Sequence, residues 1–224
     1  MEKLLSKLPQ LFPLRGKCII AFTAEQVATY KMKIFGDDIK IQIDTSWHPD
    51  EHSIEEAIIV TTNPTQTKLQ PGDGVLVDYN IFTAGRHDHG GDNNSRFLYK
   101  NEDYFLYWCY DDLHDLNSSE ILATIDDEGK VKGYGDVVIV YTHEEHEVLI
   151  DIVTSMADIH QFPGSEWALV YNSPVPQIEE NDLILCEKGL SPKIRFRGIE
   201  MQYINLPFIL GKASLDSPFK IALF

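Results

Sequence analysis

Two stretches of the sequence share one pattern, and their repetition decides the fold. Leu69-Gln-Pro-Gly-Asp-Gly-Val-Leu-Val-Asp78 aligns without a gap with Ile178-Glu-Glu-Asn-Asp-Leu-Ile-Leu-Cys-Glu187, which places Asp73 opposite Asp182. In both stretches a turn with an aspartate precedes a short run of aliphatic residues, the pattern of a tight turn that starts a buried strand. We therefore expect two copies of one small β-domain, in which both aspartates form turns and neither is a catalytic acid.

Matched segments flank these stretches in the same order along the chain. Each copy begins with a hydrophobic strand and a return strand, and it finishes with a hairpin and a last strand. The matched pairs are residues 16–22 with 135–141, 57–64 with 168–174, 97–107 with 194–203, and 120–124 with 208–212. Because no long helical pattern interrupts either copy, we predict an all-β protein of two tandem small antiparallel β-barrels with long loops.

The same order predicts the domain organisation. A polar, turn-prone segment, Asp126-Asp-Glu-Gly-Lys130, separates the two copies and is typical of a domain junction. We expect an N-terminal arm, a first barrel, a junction, a second barrel and a C-terminal tail, at residues 1–14, 15–125, 126–133, 134–213 and 214–224.

Composition limits the partners of the chain. With 224 residues, 43% hydrophobic and 24% charged, it can fold around a sizeable core. The formal net charge of -16 disfavours nucleic acid and anionic membranes, which attract basic proteins. The first twelve residues lack the pattern of a signal peptide or membrane span. Cys18, Cys109 and Cys186 are odd in number and widely spaced, which indicates reduced core cysteines in a cytoplasmic protein or a virion assembled in the cytoplasm.

Three motifs resemble those of the GroES-like (chaperonin-10) co-chaperonin family. They are the turn and strand at residues 69–78, the segment Ser119-Glu-Ile-Leu-Ala-Thr124, and IRFRGIEMQYINLPFILG at residues 194–211. The resemblance covers nearly the whole chain and implies a GroES-like barrel in each copy. Members of the family form rings that cap a chaperonin, and a mobile glycine-rich loop after the first strand presents an apolar tripeptide to it.

The resemblance places that loop at residues 23–55 in the first copy and 142–166 in the second. In the second copy it implies the tripeptide Ile152, Val153 and Thr154 as the partner-binding residues. In the first copy an alternating hairpin at residues 31–43 replaces the glycine-rich segment. Its apolar side chains either form a partner-binding edge or fold onto their own barrel; they include Met32, Ile34, Ile39 and Ile41.

The remaining chemical motifs have simpler explanations. His87 and His89 alternate on one segment and, together with Asp92, could hold a metal ion, but a solvated loop explains them better. The segments 111–115 and 143–147 are expected to be acidic surface turns. Trp108 and Trp167 are expected to pack in a core or a barrel interface. We expect no catalytic residues, no cofactor and no metal.

Two functions from different classes follow from these patterns. The first is a non-catalytic structural or protein-interaction component of a large assembly, plausibly a capsid- or tail-associated protein of a viral particle, in contact with neighbouring subunits and forming a homo-oligomer. The alternative is a co-chaperonin that caps a chaperonin ring and assists protein folding. A metal-binding module at the His87/His89 loop is a weaker third possibility.

Overall fold

The computed structural model describes two compact units, divided between Gly129 and Lys130. This boundary lies within the junction predicted at residues 126–133. The described residues are 16–26, 56–62, 68–78, 81, 96–111, 119–142, 165–187, 194–197, 199–214 and 217–223.

An antiparallel sheet forms the first unit. Its strands are β1 (Lys17–Thr23), β2 (Glu56–Thr61), β3 (Gly74–Val77), β4 (Phe97–Lys100), β5 (Tyr104–Tyr110) and β6 (Ile121–Ile125). Their order across the sheet is β4-β5-β1-β2-β3-β6. The predicted hairpin is confirmed as β4 and β5, and the Asn101 side-chain Oδ1 closes its turn by accepting hydrogen bonds from the backbone N–H groups of Asp103 and Tyr104.

The second unit repeats this arrangement. Its strands are β7 (Val131–Gly133), β8 (Val137–Tyr141), β9 (Ser165–Asn172), β10 (Asp182–Glu187), β11 (Ile194–Phe196), β12 (Ile199–Asn205), β13 (Ile209–Ser214) and β14 (Ser217–Leu223). The sheet order β11-β12-β8-β9-β10-β13-β14 matches, strand for strand, that of the first sheet, in which β7 follows β6. The all-β fold is therefore confirmed. Among the described residues no pairing joins the outer strands of either sheet, so closure into barrels stays a prediction.

The C-terminal segment is part of the second sheet. Residues 214–224, expected as a tail, contain β14, which pairs with β13 in antiparallel register, including Gly211 with Leu223 and Ala213 with Ile221. Pairing with β13 satisfies backbone groups that a free tail would leave to solvent.

Irregularities in the sheets also repeat. The pairing of β3 with β6 shifts register between Leu76 and Val77, and that of β10 with β13 shifts between Leu185 and Cys186. In each case the partner strand has one extra residue, Leu122 or Leu210. These positions coincide when residues 69–78 are aligned with 178–187. Val77 is therefore the counterpart of Cys186, and the two units can be compared residue by residue.

The first strands of the two units correct the sequence alignment by one residue. The pairing of β1 with β2 shifts register between Ile19 and Ile20, and that of β8 with β9 shifts between Ile139 and Val140, so Ile19 corresponds to Ile139. The alignment of residues 16–22 with 135–141 paired Ile19 with Val138 and was wrong at this point. Runs of aliphatic residues look alike when shifted by one position, so the register depends on strand pairing.

The repeated turns have the same hydrogen bonds. Asp73 Oδ2 accepts a bond of 2.8 Å from the backbone N–H of Gln70, and Asp182 Oδ2 accepts one of 2.9 Å from that of Glu179. Before each aspartate the backbone is left-handed, with φ of 106° at Gly72 and 69° at Asn181. Both aspartates are thus turn formers, as predicted.

These turns allow a matched test of stability. Asp182 also forms a salt bridge of 2.7 Å with Lys212 Nζ, and its side chain is only 7% exposed. We expect Asp73→Ala to lower the free energy of unfolding by about 1 kcal/mol and Asp182→Ala by about 2 to 3 kcal/mol, because the second change also removes a largely buried ion pair. Urea unfolding of both variants measures the difference, and equal losses would contradict a role for Lys212.

Candidate protein-interaction surface

The partner-binding residues expected from the sequence lie outside the described residues. This applies to Met32, Ile34, Ile39 and Ile41 of the hairpin, to Ile152, Val153 and Thr154 of the tripeptide, and to the His87/His89 loop. Within the described ranges no three His, Cys, Asp or Glu side chains are grouped to hold a metal ion. The candidate surface is therefore built from other residues.

Five side chains of the first unit form a cluster that we call the cation–aromatic cluster: Lys17, Arg96, Trp108, Tyr110 and Glu120. Trp108 and Tyr110 are two residues apart on β5 and so share one face of the sheet. Their rings meet edge to face, with centroids 5.4 Å apart and an interplanar angle of 89°. Lys17 is directly opposite Tyr110 on β1. Strand register thus assembles the aromatic pair and the first cation.

Two cations lie close to this aromatic pair. The Lys17 Nζ atom is 4.0 Å from the centroid of a Trp108 ring and 5.3 Å from that of Tyr110. The Arg96 Cζ atom is 4.4 Å and 5.2 Å from the same two rings. These distances lie within the range of cation–π attraction. All four side chains are half-buried, so the attraction is screened less than it would be in bulk water.

Glu120 holds Arg96 in place. Arg96 Nη1 donates to Glu120 Oε2 at 2.6 Å and Nη2 donates to Oε1 at 2.5 Å, a bidentate pair with both side chains about 15% exposed. The backbone N–H of Tyr110 also donates to Oε2, at 2.9 Å. Burial nevertheless raises the pKa of Glu120, because the loss of solvent outweighs the opposing effects of the Tyr110 N–H and of Arg96.

At four of its five positions, the cluster can be compared with described residues of the second unit. Lys17 pairs with Tyr110 in the first unit as Val137 pairs with Asn205 in the second. By the same registers, Val137 and Phe208 of the second unit correspond to Lys17 and Glu120, and neither is charged. Tyr203 and Asn205 correspond to Trp108 and Tyr110. The shared fold therefore does not require these charges.

An exposed apolar strand adjoins the cluster. Arg96 directly precedes β4, and its backbone carbonyl accepts a hydrogen bond of 3.0 Å from the Trp108 N–H. Strand β4 is the outermost strand of the described sheet, and its Leu98 and Tyr99 side chains are each 42% exposed. The surface thus combines two cations, an aromatic pair and two exposed apolar side chains.

Several sequence expectations can be compared with the structure. Trp167 is buried as predicted, whereas Trp108 is half-buried within the cluster. Asp111 was expected in an acidic surface turn, and this was wrong for Asp111 itself: it is buried at the end of the β1–β5 pairing, where its N–H donates to the carbonyl of Gly16. The three cysteines are buried free thiols, as predicted.

Arg96 and Glu120 were not identified from the sequence, although Trp108-x-Tyr110 has the spacing of one sheet face.

Comparison with protein-family models gives no match, and comparison with curated proteins gives none either. In the part of the chain that the structure describes, no helix has both the length and the apolar character needed to cross a membrane.

Proposed function

We propose that this chain is a non-catalytic protein-interaction component of a large assembly, and that its first unit binds a neighbouring copy through the cation–aromatic cluster. The observation that carries this proposal is that, among the described residues, the second unit has uncharged side chains at the positions of Lys17 and Glu120, although the strand order of the two sheets is the same. A charged, half-buried cluster that the fold does not require is well explained by a binding role.

The chemistry of the cluster supports a second copy of the chain as the occupant. Among the described residues Lys17 has aromatic neighbours but no carboxylate within salt-bridge distance, so its ammonium is available to an anionic group. The chain has 35 acidic against 19 basic residues, so a neighbouring copy offers mainly carboxylates. Leu98 and Tyr99 add apolar contact area beside this charge, and tryptophan, tyrosine and arginine contribute strongly to protein interfaces.

The repeated sheet supports a GroES-like scaffold for this role. Seven strands recur in one order, together with the turn and two register shifts, as a tandem repeat of one domain requires. Within this proposal the chain is a homo-oligomeric subunit of a particle assembled in the cytoplasm, such as a viral capsid or tail. A co-chaperonin is the alternative on the same scaffold.

The mass of the full chain in solution tests the proposed contact. We expect wild-type protein to form an oligomer whose mass decreases on dilution or at high salt, because a cation–carboxylate contact is screened by ions. Lys17→Gln is expected to weaken self-association about tenfold. Lys130→Gln is the matched control, since Lys130 forms an exposed salt bridge with Glu180 in the second unit. A wild-type monomer at all concentrations, or equal association of both variants, would overturn the proposed contact.

A chaperonin assay separates the alternative. Suppression of chaperonin ATP turnover by the wild-type chain, with loss of this effect in Ile152→Asp, would favour a co-chaperonin. Unchanged ATP turnover would favour the assembly component.

A further inference from the structure

Two cysteines face each other in the core of the first unit. Cys18 on β1 and Cys109 on β5 are direct partners in the antiparallel register. Their Sγ atoms are 3.1 Å apart, and neither residue is exposed to solvent. The two thiols lie 91 positions apart in the sequence, so only the pairing of β1 with β5 brings them together.

The backbone geometry at this position is compatible with a covalent bond. The N–H of Asp111 donates to the carbonyl of Gly16, so Gly16 and Asp111 are a hydrogen-bonded pair. Because such pairs alternate along an antiparallel ladder, Cys18 and Cys109 form the next hydrogen-bonded pair, for which the Cα atoms are about 5.5 Å apart. Disulfides span Cα distances of about 4.4 to 6.8 Å, and their sulfur atoms are about 2.0 Å apart. The sulfur atoms need to approach by about 1 Å. The Cβ atoms of opposite residues are about 4.5 to 5.5 Å apart and must close toward the roughly 3.5 to 4.5 Å of a disulfide, so β1 and β5 must also move slightly closer together.

The second unit shows that packing does not require cysteines here. The counterparts of Cys18 and Cys109 are Val138 and Ile204, which are also direct partners and are also buried. An aliphatic pair therefore fills this place in the same fold. The paired thiols of the first unit add a chemical property that the second unit lacks at this position.

We propose that Cys18 and Cys109 are a thiol–disulfide pair whose oxidation links β1 covalently to β5, with a glutathione-type disulfide as the oxidant. One cysteine thiolate attacks oxidised glutathione, which breaks the glutathione S–S bond, forms a mixed disulfide and releases one glutathione thiol. The second cysteine then attacks the mixed disulfide, which forms the Sγ–Sγ bond and releases the other glutathione. Two thiol protons and two electrons pass from the protein to glutathione.

The bond stabilises the first unit and forms slowly in the folded chain. A link across this sequence separation restricts the unfolded chain far more than the folded sheet. Burial raises the pKa of the Cys109 thiol, and the hydrogen bond with Cys18 raises it further, so little thiolate is present at neutral pH. The equilibrium is therefore best reached by refolding the chain in the redox buffer.

The test uses the full chain with Cys186→Val, because Val77 occupies the equivalent position in the first unit. The protein is unfolded and refolded in glutathione buffers of graded ratio, acid-quenched, alkylated and analysed by mass spectrometry. We expect a peptide pair linked through Cys18 and Cys109. The equilibrium constant for forming this bond is expected to be at least about tenfold larger in the folded chain than in the chain unfolded in concentrated urea. Oxidised protein is expected to unfold at a higher urea concentration.

Two single variants serve as controls. Cys18→Val and Cys109→Ile place at each position the residue that the second unit has there, and each leaves one thiol. Both are expected to remain folded and to form no intramolecular link. The proposal is overturned if the folded chain favours the bond no more than the urea-unfolded chain does, or if the linked peptides come only from different molecules.

Discussion

Gly133→Ala is expected to lower the stability of the second unit by about 3 kcal/mol or more. A Cβ atom at Gly133 would lie 2.1 Å from the carbonyl oxygen of Val137 and 3.0 Å from Cδ of Pro174. Val137 is the first residue of β8, so its carbonyl cannot move away without disturbing the pairing of that strand. Hydrogen exchange of peptides from β8 and β9, followed by mass spectrometry, measures the loss and locates it.

A second glycine provides the control for this variant. A Cβ atom at Gly74 would lie 3.3 Å from Cβ of Ile125, which belongs to a side chain and not to a carbonyl group. Gly74→Ala is therefore expected to change stability by no more than about 1 kcal/mol. Similar losses in the two variants would show that the contact with Val137 does not decide the outcome.

Arg96→Met is expected to lower the stability of the first unit by about 3 kcal/mol at neutral pH. Methionine keeps apolar contact with Trp108, but it removes the charge that faces Glu120. The carboxylate is then left largely buried without its counter-ion, and one hydrogen bond from the backbone of Tyr110 is an incomplete replacement. Glu120→Gln is expected to cost less, since burial already disfavours the charged form of Glu120. Urea unfolding of both variants measures this asymmetry.

The pH dependence of the Arg96→Met loss has a definite sign. The pKa of Glu120 in the folded chain is raised above its ordinary value of 4.5. Protonation of Glu120 therefore stabilises the folded chain. This contribution is fully present below the ordinary pKa of a glutamate and is lost as the pH rises through the raised pKa of the folded state. Arg96 lowers the pKa of Glu120, so its removal raises that pKa further. Arg96→Met is therefore expected to recover stability as the pH is lowered from about 8 to about 5, and a loss independent of pH would contradict the explanation.

Local patterns in the sequence were sufficient to predict the two repeated turns and most of the strands, but not β7 or β14, which lie in segments expected as a junction and a tail. Asp73 and Asp182 mark turns whose geometry depends on a few neighbouring residues, so the repeat could be found without knowledge of pairing. The residue-by-residue alignment of β1 with its counterpart β8 could not be predicted, because valine and isoleucine fill the same positions equally well. The cation–aromatic cluster was missed for a related reason: Arg96 and Glu120 are 24 positions apart, and their contact depends on how β4, β5 and β6 are placed.

The bulge in β4 has a consequence for the behaviour of the protein at high concentration. Phe97 pairs with Tyr107 and Tyr99 with Leu106, so Leu98 is an extra residue that interrupts the outer strand. An edge with this defect is a poor template for another strand, because an incoming chain cannot continue a regular ladder of backbone hydrogen bonds. The strand can therefore expose apolar side chains at the edge of the sheet while it resists open-ended, strand-by-strand stacking with other chains.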